Sequence, residues 1–265
     1  MIAIVSVFKN EAHIMKEWLD HYIKEGITHF LLTDNGSTDN YRTILEPYIQ
    51  SGHVILKINP KKHSQEEHLN SFLDDIQEMD WVLINDLDEF VYARKGFKTI
   101  RDYLESVPPT IDTIGIPYKM FGSSGFIHQP ESVVQNFVHR EFTGDEYDVI
   151  KWSSRKCIVR GHVVKRIELH YVIKTYDYDT HEMSPTGDTH VCEKVKVAPL
   201  NELILADSFL HLNHYRIQSW DFFSKIKMTR GDARLNYYEN RRNQTFFEKF
   251  DNNEVLDEEL KYKVY

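Results

Sequence analysis

Trp81-Val-Leu-Ile-Asn-Asp-Leu-Asp-Glu-Phe90 sets four apolar residues directly before a cluster of acids, so a short buried strand empties into a polar turn. The same figure recurs toward the N-terminus. Val54-Ile-Leu-Lys-Ile58 reads as a strand, and Ser64-Gln-Glu-Glu67 after it reads as a capping box opening a helix with Leu69, Phe72, Leu73 and Ile76 on one face. His29-Phe-Leu-Leu-Thr33 is another short strand, and it ends in Asp34-Asn-Gly-Ser-Thr-Asp-Asn40, a run dense in turn formers. Residues 41–51 look helical. Before His29, Asn10-Glu11 opens a helix whose Ile14, Trp18 and Tyr22, with Met15, Leu19 and Ile23, recur at spacings of four until Gly26 stops it. Met1-Ile-Ala-Ile-Val-Ser-Val-Phe8 is the strand that starts the series. Strands alternating with helices imply an α/β domain with a mostly parallel, doubly wound central sheet, which gathers ligands at the carboxyl ends of its strands. Asp34 to Asn40 and Asn85 to Glu89 both fall at such ends.

Length and composition agree with one enzyme-sized domain: 265 residues, 41% apolar, with neither a repeat nor a low-complexity tract. No stretch approaches the roughly 20 apolar residues that span a bilayer. The first strand lacks a basic leader and a small-residue cleavage site, so a cytoplasmic location is expected. Cys157 and Cys192 are expected as thiols rather than a disulfide, given so few cysteines outside a secretory context. With 41 acidic and 32 basic residues the net charge is -9, which disfavours a nucleic-acid partner but not a small anion held by local cations or a metal.

Beyond Tyr118 the periodicity weakens. Phe121-Gly-Ser-Ser-Gly-Phe126 looks like a loop, and Arg155 to Val164 and Glu168 to Thr175 look like strands. Ser219 is placed to cap a helix from Trp220 to Arg230, buried through Phe222, Phe223 and Ile226 and stopped by Gly231. The charged segment 243–265 is expected to run along the surface.

Asp86-Leu-Asp88 is the sharpest chemical feature. Carboxylates at i and i+2 on an extended segment project to the same side and can hold one hard cation. A solvated turn is the plain alternative. Against it, burying Asp86, Asp88 and Glu89 at a strand end without a cation would cost several kcal/mol. Glu89 fits either a group that orients a metal-bound water or a surface acid. Asp34 can accept the N3 hydrogen of a uracil ring or a ribose hydroxyl, or can cap its own turn.

These pieces together resemble a known family. Phe8-Lys-Asn-Glu11, Glu17-Trp18, His21, Gly26, His29-Phe30 and Asp34-Asn-Gly-Ser-Thr-Asp39 look like the opening of the family 92 and family 2-like glycosyltransferases of the GT-A fold. Asp86-Leu-Asp-Glu-Phe90 is similar to their metal motif. Phe121-Gly-Ser-Ser-Gly125 resembles their glycine-serine acceptor loop, and Asn213-His-Tyr215 with Ser219, Phe222, Lys225 and Arg230-Gly231 resembles their C-terminal signature.

The resemblance implies a GT-A domain over residues 1–242. Residues 1–118 would bind a nucleotide sugar, residues 119–242 would bind the acceptor, and 243–265 would form a charged tail. It implies Val7, Lys9 and Asp34 around the base and ribose, with Asp86, Leu87, Lys225 and Arg230 completing the donor site. Asp86, Asp88 and His214 would hold Mn2+ or Mg2+. An imidazole beside two carboxylates suits manganese. The implied reaction is transfer from a nucleotide-diphosphate sugar, UDP-linked through the family alone, to a hydroxyl of a glycan, glycolipid or glycoprotein, with inversion. Asp145, Glu146 and Asp148, with Glu141 before them, are the candidates for the base. Cys157 stands where a serine is expected, and Asn35-Gly-Ser37 is formally a glycosylation acceptor whose use would block the proposed pocket.

Two other readings compete. A nucleotidyltransferase would need a glycine-rich basic loop after the first strand, and Phe8-Lys-Asn-Glu11 has one cation and no glycine. A non-catalytic carbohydrate-binding module would use aromatic side chains such as Tyr237, Tyr238, Phe246 and Phe247, which core packing explains more simply.

Overall fold

The computed structural model describes residues 1–144, 151–168, 172–175, 181–183, 186–187, 189–191, 197–230 and 242–265. Its first half alternates as expected: β1 (Ile2–Phe8), α1 (Ala12–Lys24), β2 (His29–Asp34), α2 (Tyr41–Gln50), β3 (Val54–Ile58), α3 (Gln65–Asn70), α4 (Leu73–Gln77) and β4 (Trp81–Ile84). Then come β5 (Glu89–Ala93), α5 (Ile100–Ser106), β6 (Thr113–Met120), α6 (Val133–Asn136), β7 (His139–Arg140), β8 (Lys151–Val159), β9 (Val164–Ile167) and β10 (Val172–Lys174). β11 (His181–Met183), β12 (Thr189–Val191), β13 (Val197–Leu200), α7 (Glu202–Asp207), β14 (Leu210–His214), α8 (Trp220–Lys225), α9 (Gln244–Phe250) and β15 (Val255–Leu256) complete the described elements.

Among the described residues the main sheet runs β12-β11-β6-β8-β4-β1-β2-β3, and β14 joins β6 to β5. The parallel part is β3-β2-β1-β4; beyond it β8 runs antiparallel to both β4 and β6. Strand alternation sorts the core onto two faces. Ile2, Ile4, Phe30, Leu32, Trp81 and Leu83 point into the larger cluster, under α1, α2 and α5, which supply Trp18, Leu45 and Tyr103. Ala3, Val5, Leu31, Val82 and Ile84 point to the other face, closed by Leu69, Phe72 and Ile76 of the α3–α4 region. Both faces being covered, β1 is apolar along nearly its whole length, as a central parallel strand must be.

Several local expectations change. The capping box at Ser64 does not form: Ser64 Oγ instead donates to the Lys62 carbonyl at 3.1 Å, and the expected helix divides at Ser71-Phe72 into α3 and α4. Asn10 and Glu11 do not cap α1 with their side chains either. Asn10 is left-handed (φ 54°), and Asp39 from the loop after β2 accepts the Ala12 amide at 2.8 Å. The two loops at the strand ends are thereby tied together.

The strand expected over 155–164 ends at Val159, and a single 3-10 turn over Gly161–Val163 leads into β9. A Cβ on Gly161 would lie 2.1 Å from the Ile76 carbonyl oxygen and 2.4 Å from that of Met79, so the turn packs against α4 through glycine alone. Ser219 caps α8 as expected, accepting the Phe222 amide at 3.2 Å, but α8 stops at Lys225 rather than Arg230. Phe246 and Phe247 pack with Phe223 and Trp220, while Tyr237 and Tyr238 lie outside the described residues. Cys157 is buried in β8; Cys192 lies outside the described residues, so the thiol expectation falls partly there.

The segment 243–265 runs back along the domain and packs into it, burying Phe247 and Leu260. β15 pairs with β7, Asp257 bonds both Lys119 (2.9 Å) and Arg140 (2.8 Å), and the Tyr265 hydroxyl meets His21 Nδ1 at 2.9 Å. Among the described residues no helix is long and apolar enough to cross a membrane.

Candidate active site

The acidic turn between β4 and β5 is held from below by α1. Trp18 Nε1 donates to the carbonyls of Asp86 (3.2 Å) and Glu89 (3.1 Å), and the Tyr22 hydroxyl donates to the Glu89 carbonyl at 3.0 Å while accepting the Val91 amide at 2.8 Å. Asn85 Nδ2 donates to the same hydroxyl at 2.6 Å. The turn also closes on itself, the Asp86 amide donating to Glu89 Oε2 at 3.0 Å. The amphipathic pattern that packs α1 therefore also fixes the acids.

Strand register brings the histidine. β14 pairs antiparallel with β5 so that His214 lies opposite Glu89, and the Tyr215 amide donates to the Asp88 carbonyl at 2.8 Å. His214 Nε2 faces Asp88 Oδ1 at 3.6 Å and Glu89 Oε1 at 4.0 Å, all three residues being buried. At those separations none of these contacts is a proper hydrogen bond. A cation with bonds of about 2.1 Å leaves its ligand atoms about 3 to 4 Å apart, so the spacing fits a metal. Among the described residues Glu89 Oε1 makes no well-formed hydrogen bond, with the Tyr118 hydroxyl beside Glu89. Burial pushes His214 down to about 3, so it offers a neutral imidazole, and Asp88 and Glu89 bring one carboxyl group each, Glu89 giving up its proton to a bound cation.

Two buried lysines balance the acids. Lys156 of β8 reaches Asp86 Oδ2 at 3.0 Å and Glu89 Oε2 at 3.4 Å. Burial opposes its charge, yet Asp86 and Glu89 hold it protonated above the usual lysine range. Burial pushes Glu89 up to about 8, with Asp86 and Asp88 adding to the rise. Lys227 bonds Asp88 Oδ2 and the Arg216 carbonyl. Burial works against the charge on Asp88, but the Lys227 ammonium holds its carboxyl well below the usual carboxylate range.

Beside this cluster, Arg230 Nη1 donates to the Lys9 carbonyl at 2.7 Å and pairs with Glu11, which clamps the loop after β1. Its Nε and Nη2 are buried with no hydrogen-bond partner among the described residues. Electrostatically, the mouth of the site carries cations on its C-terminal side and acids at its base, an arrangement suited to a metal-bound diphosphate.

A sequence model of glycosyltransferase family 92 matches residues 2–257. The chain belongs to this family. A family 92 protein of Oryza sativa subsp. japonica is 24% identical over 226 residues, 84% of this chain and 34% of that protein. The chain thus spans about a third of the length of the curated relative it matches. Among solved structures it is similar to S. aureus TarS 1-349 in complex with UDP-GlcNAc (18% identity, 62% of this chain and 46% of that one, TM-score 0.40). It is similar also to glucosyl-3-phosphoglycerate synthase from Mycobacterium tuberculosis in complex with Mn2+, uridine diphosphate and glucosyl-3-phosphoglycerate (18% identity, 45% and 44%, TM-score 0.31). Likenesses this loose carry no argument about ligands. The mixed α/β domain is of the GT-A kind that family 92 membership implies.

In this family 92 chain the expected site residues separate into two groups. Asp86, Asp88, His214 and Arg230 come together at the ends of β4, β14 and β1. Asp86 is the outer member, held by Lys156 and, at 3.3 Å, by Gln65. Val7 and Lys9 lie at the end of β1, next to this mouth. Asp34, at the end of β2, spends both oxygens on its own loop, accepting the Ser37 amide and the Tyr41 hydroxyl at 2.8 Å each. Leu87 turns its side chain into the core, and Lys225 is exposed and pairs with Asp221 at 3.1 Å. Asp145, Glu146 and Asp148 lie outside the described residues.

The glycine-serine loop also has structural work: Ser123 and Ser124 amides donate to Asp251 Oδ1 (2.7 Å) and Asn253 Oδ1 (2.9 Å). A Cβ on Gly122 would meet Asn253 Oδ1 at 2.4 Å. Asn35 spends its amide nitrogen on the Asn59 and Lys61 carbonyls, at 2.8 Å each. Lys156 and Lys227 were not legible as site residues. Lys156 sits one position before an apolar run, and Lys227 falls within the helix expected over 220–230, which ends two residues before it.

Proposed function

We propose that this family 92 chain is a metal-dependent glycosyltransferase moving a sugar from a UDP-linked donor to a hydroxyl of a glycan, glycolipid or glycoprotein, with inversion, in the cytosol. The buried Asp88, Glu89 and His214 cluster carries the reading. Asp88 and His214 would hold the ion with Glu89 as the third side chain, and Asp86 would stand at the outer edge toward the donor. When bound, Mn2+ or Mg2+ would neutralise the diphosphate oxygens as the leaving group departs. Val7, Lys9 and Asp34 would border the nucleoside, Leu87 would contribute through its backbone, and Arg230 would offer its two unpartnered nitrogens to the diphosphate. Lys225 stays a proposed donor contact only if its exposed side chain swings inward. Inversion needs a carboxylate opposite the leaving group, and Asp145, Glu146 and Asp148 are proposed for it.

The test is release of UDP from a panel of UDP-sugars. The wild type should turn over a donor with Mn2+ and stop with EDTA, and His214→Ala should lose turnover by about 100-fold, as expected when a transition-state stabiliser goes. Turnover indifferent to both EDTA and His214→Ala would contradict the metal site.

A further inference from the structure

Lys227 stands in an unusual position for a surface helix end. α8 breaks at Ile226 (φ -117°, ψ -61°), and the 3-10 turn that follows, Lys227–Thr229, carries the Lys227 side chain inward until it is 6% exposed. Its ammonium bonds Asp88 Oδ2 and the Arg216 carbonyl, while Asp88 Oδ1 faces His214. One carboxylate is therefore shared between a resident cation and the cluster that would take a divalent one.

We propose that Lys227 is a resident counter-ion that competes with the divalent cation for Asp88 and thereby couples metal binding to nucleotide binding. The inference rests on the metal-site reading above. Two cations on one buried carboxylate repel at a range where screening is incomplete, so loading the metal alone loosens the ammonium from its acid. Among the described residues the other acid that acts on Lys227, Glu11, is already held by Arg230. A nucleoside diphosphate changes this balance. It brings phosphate oxygens to the side where Lys227 and the two unpartnered Arg230 nitrogens lie, and so supplies the loosened ammonium with a new anion. Metal and nucleotide then strengthen each other by the same factor, as linkage requires. Lys227 is on this account a positioning residue acting through Asp88.

The experiment measures Mn2+ affinity from the paramagnetic resonance of the free ion, with and without UDP, on the full chain. It compares the wild type with Lys227→Met, Lys227→Gln, Lys227→Arg and Asp88→Asn. Lys227→Gln removes the charge but keeps a polar donor group on the side chain, so it serves where Lys227→Met does not fold. The wild type should bind Mn2+ weakly alone and more tightly with UDP. Either neutral variant should bind Mn2+ alone about fivefold more tightly or better, the lower end of typical coupling, and the UDP enhancement should shrink. Lys227→Arg should behave as wild type. A lysine that merely pinned α8 would leave Mn2+ affinity unchanged or weakened on neutralisation. That result, or a wild type in which UDP does not alter Mn2+ affinity, overturns the proposal. Mn2+ bound by the wild type and lost in Asp88→Asn keeps the donor site standing even then. No Mn2+ binding in any variant, with or without UDP, removes the donor site and the inference together.

Discussion

At the scale of single residues, Asp88 answers to a lysine on one oxygen and a histidine on the other. Removing it strands a buried ammonium, so Asp88→Ala should lower stability by about 3 to 5 kcal/mol, the usual cost of breaking a buried pair from one side. The Asp88→Ala/Lys227→Met double variant should recover most of that loss. Denaturant midpoints for the two singles and the double give the coupling directly, and simple additivity would show that the pair is not coupled. The acids were legible because Asp86-Leu-Asp88 follows an apolar strand, whereas the histidine came only from the family resemblance of Asn213-His-Tyr215, since no local pattern pairs it with them. Glu89 was not separable from a surface acid, since its burial depends on the register of β14, which no local pattern announces. Asp34 keeps both of its readings: it stands at a strand end suited to a ribose, and each of its oxygens accepts one bond from the turn and helix that follow.

At the scale of elements, contacts between loops decide what propensity does not. Gly161→Ala should force the 3-10 turn away from α4 and cost about 1 to 3 kcal/mol by overpacking, read as a lower thermal midpoint with the secondary structure retained. Glu25, following α1, gives a pH signature. Burial pushes its carboxyl up to about 7 despite Lys263 at 3.2 Å and the Ile100 amide at 2.8 Å. The folded state thus holds a proton that the unfolded chain releases at its ordinary value of 4.5. Stability from this group is full below pH about 4.5 and falls as pH rises toward about 7, by about 3 kcal/mol in all. Glu25→Gln should flatten the pH dependence of the melting temperature across that window, and an unchanged slope would remove Glu25 as its source. Alternation of strands and helices was readable because each apolar run is short and bounded by turn formers. The division of α3 from α4 and the early end of α8 were not, because both depend on tertiary partners rather than on a glycine or proline in the sequence.

At the scale of the whole molecule, the last fifteen residues act as a fastening rather than a loose end. Asp257 neutralises Lys119, which is only 1% exposed, and Glu259 bonds the Tyr92 hydroxyl at 3.0 Å and Arg94 at 2.7 Å. Truncation after Phe250 should therefore leave Lys119 buried without its acid and lower the thermal midpoint sharply, by a free energy of about 3 to 5 kcal/mol or more. A truncated chain melting with the wild type would contradict that account. Across the molecule, the parallel half of the sheet carries the acids and β14 carries the histidine, so the site exists only once both halves have assembled. Its test is calorimetric titration of UDP, with GDP as control, in the presence and absence of Mn2+, on the wild type and on His214→Ala. The account predicts UDP binding that requires Mn2+ and is lost in His214→Ala. UDP binding that is equally tight without Mn2+, or no nucleotide binding under any condition, would contradict it.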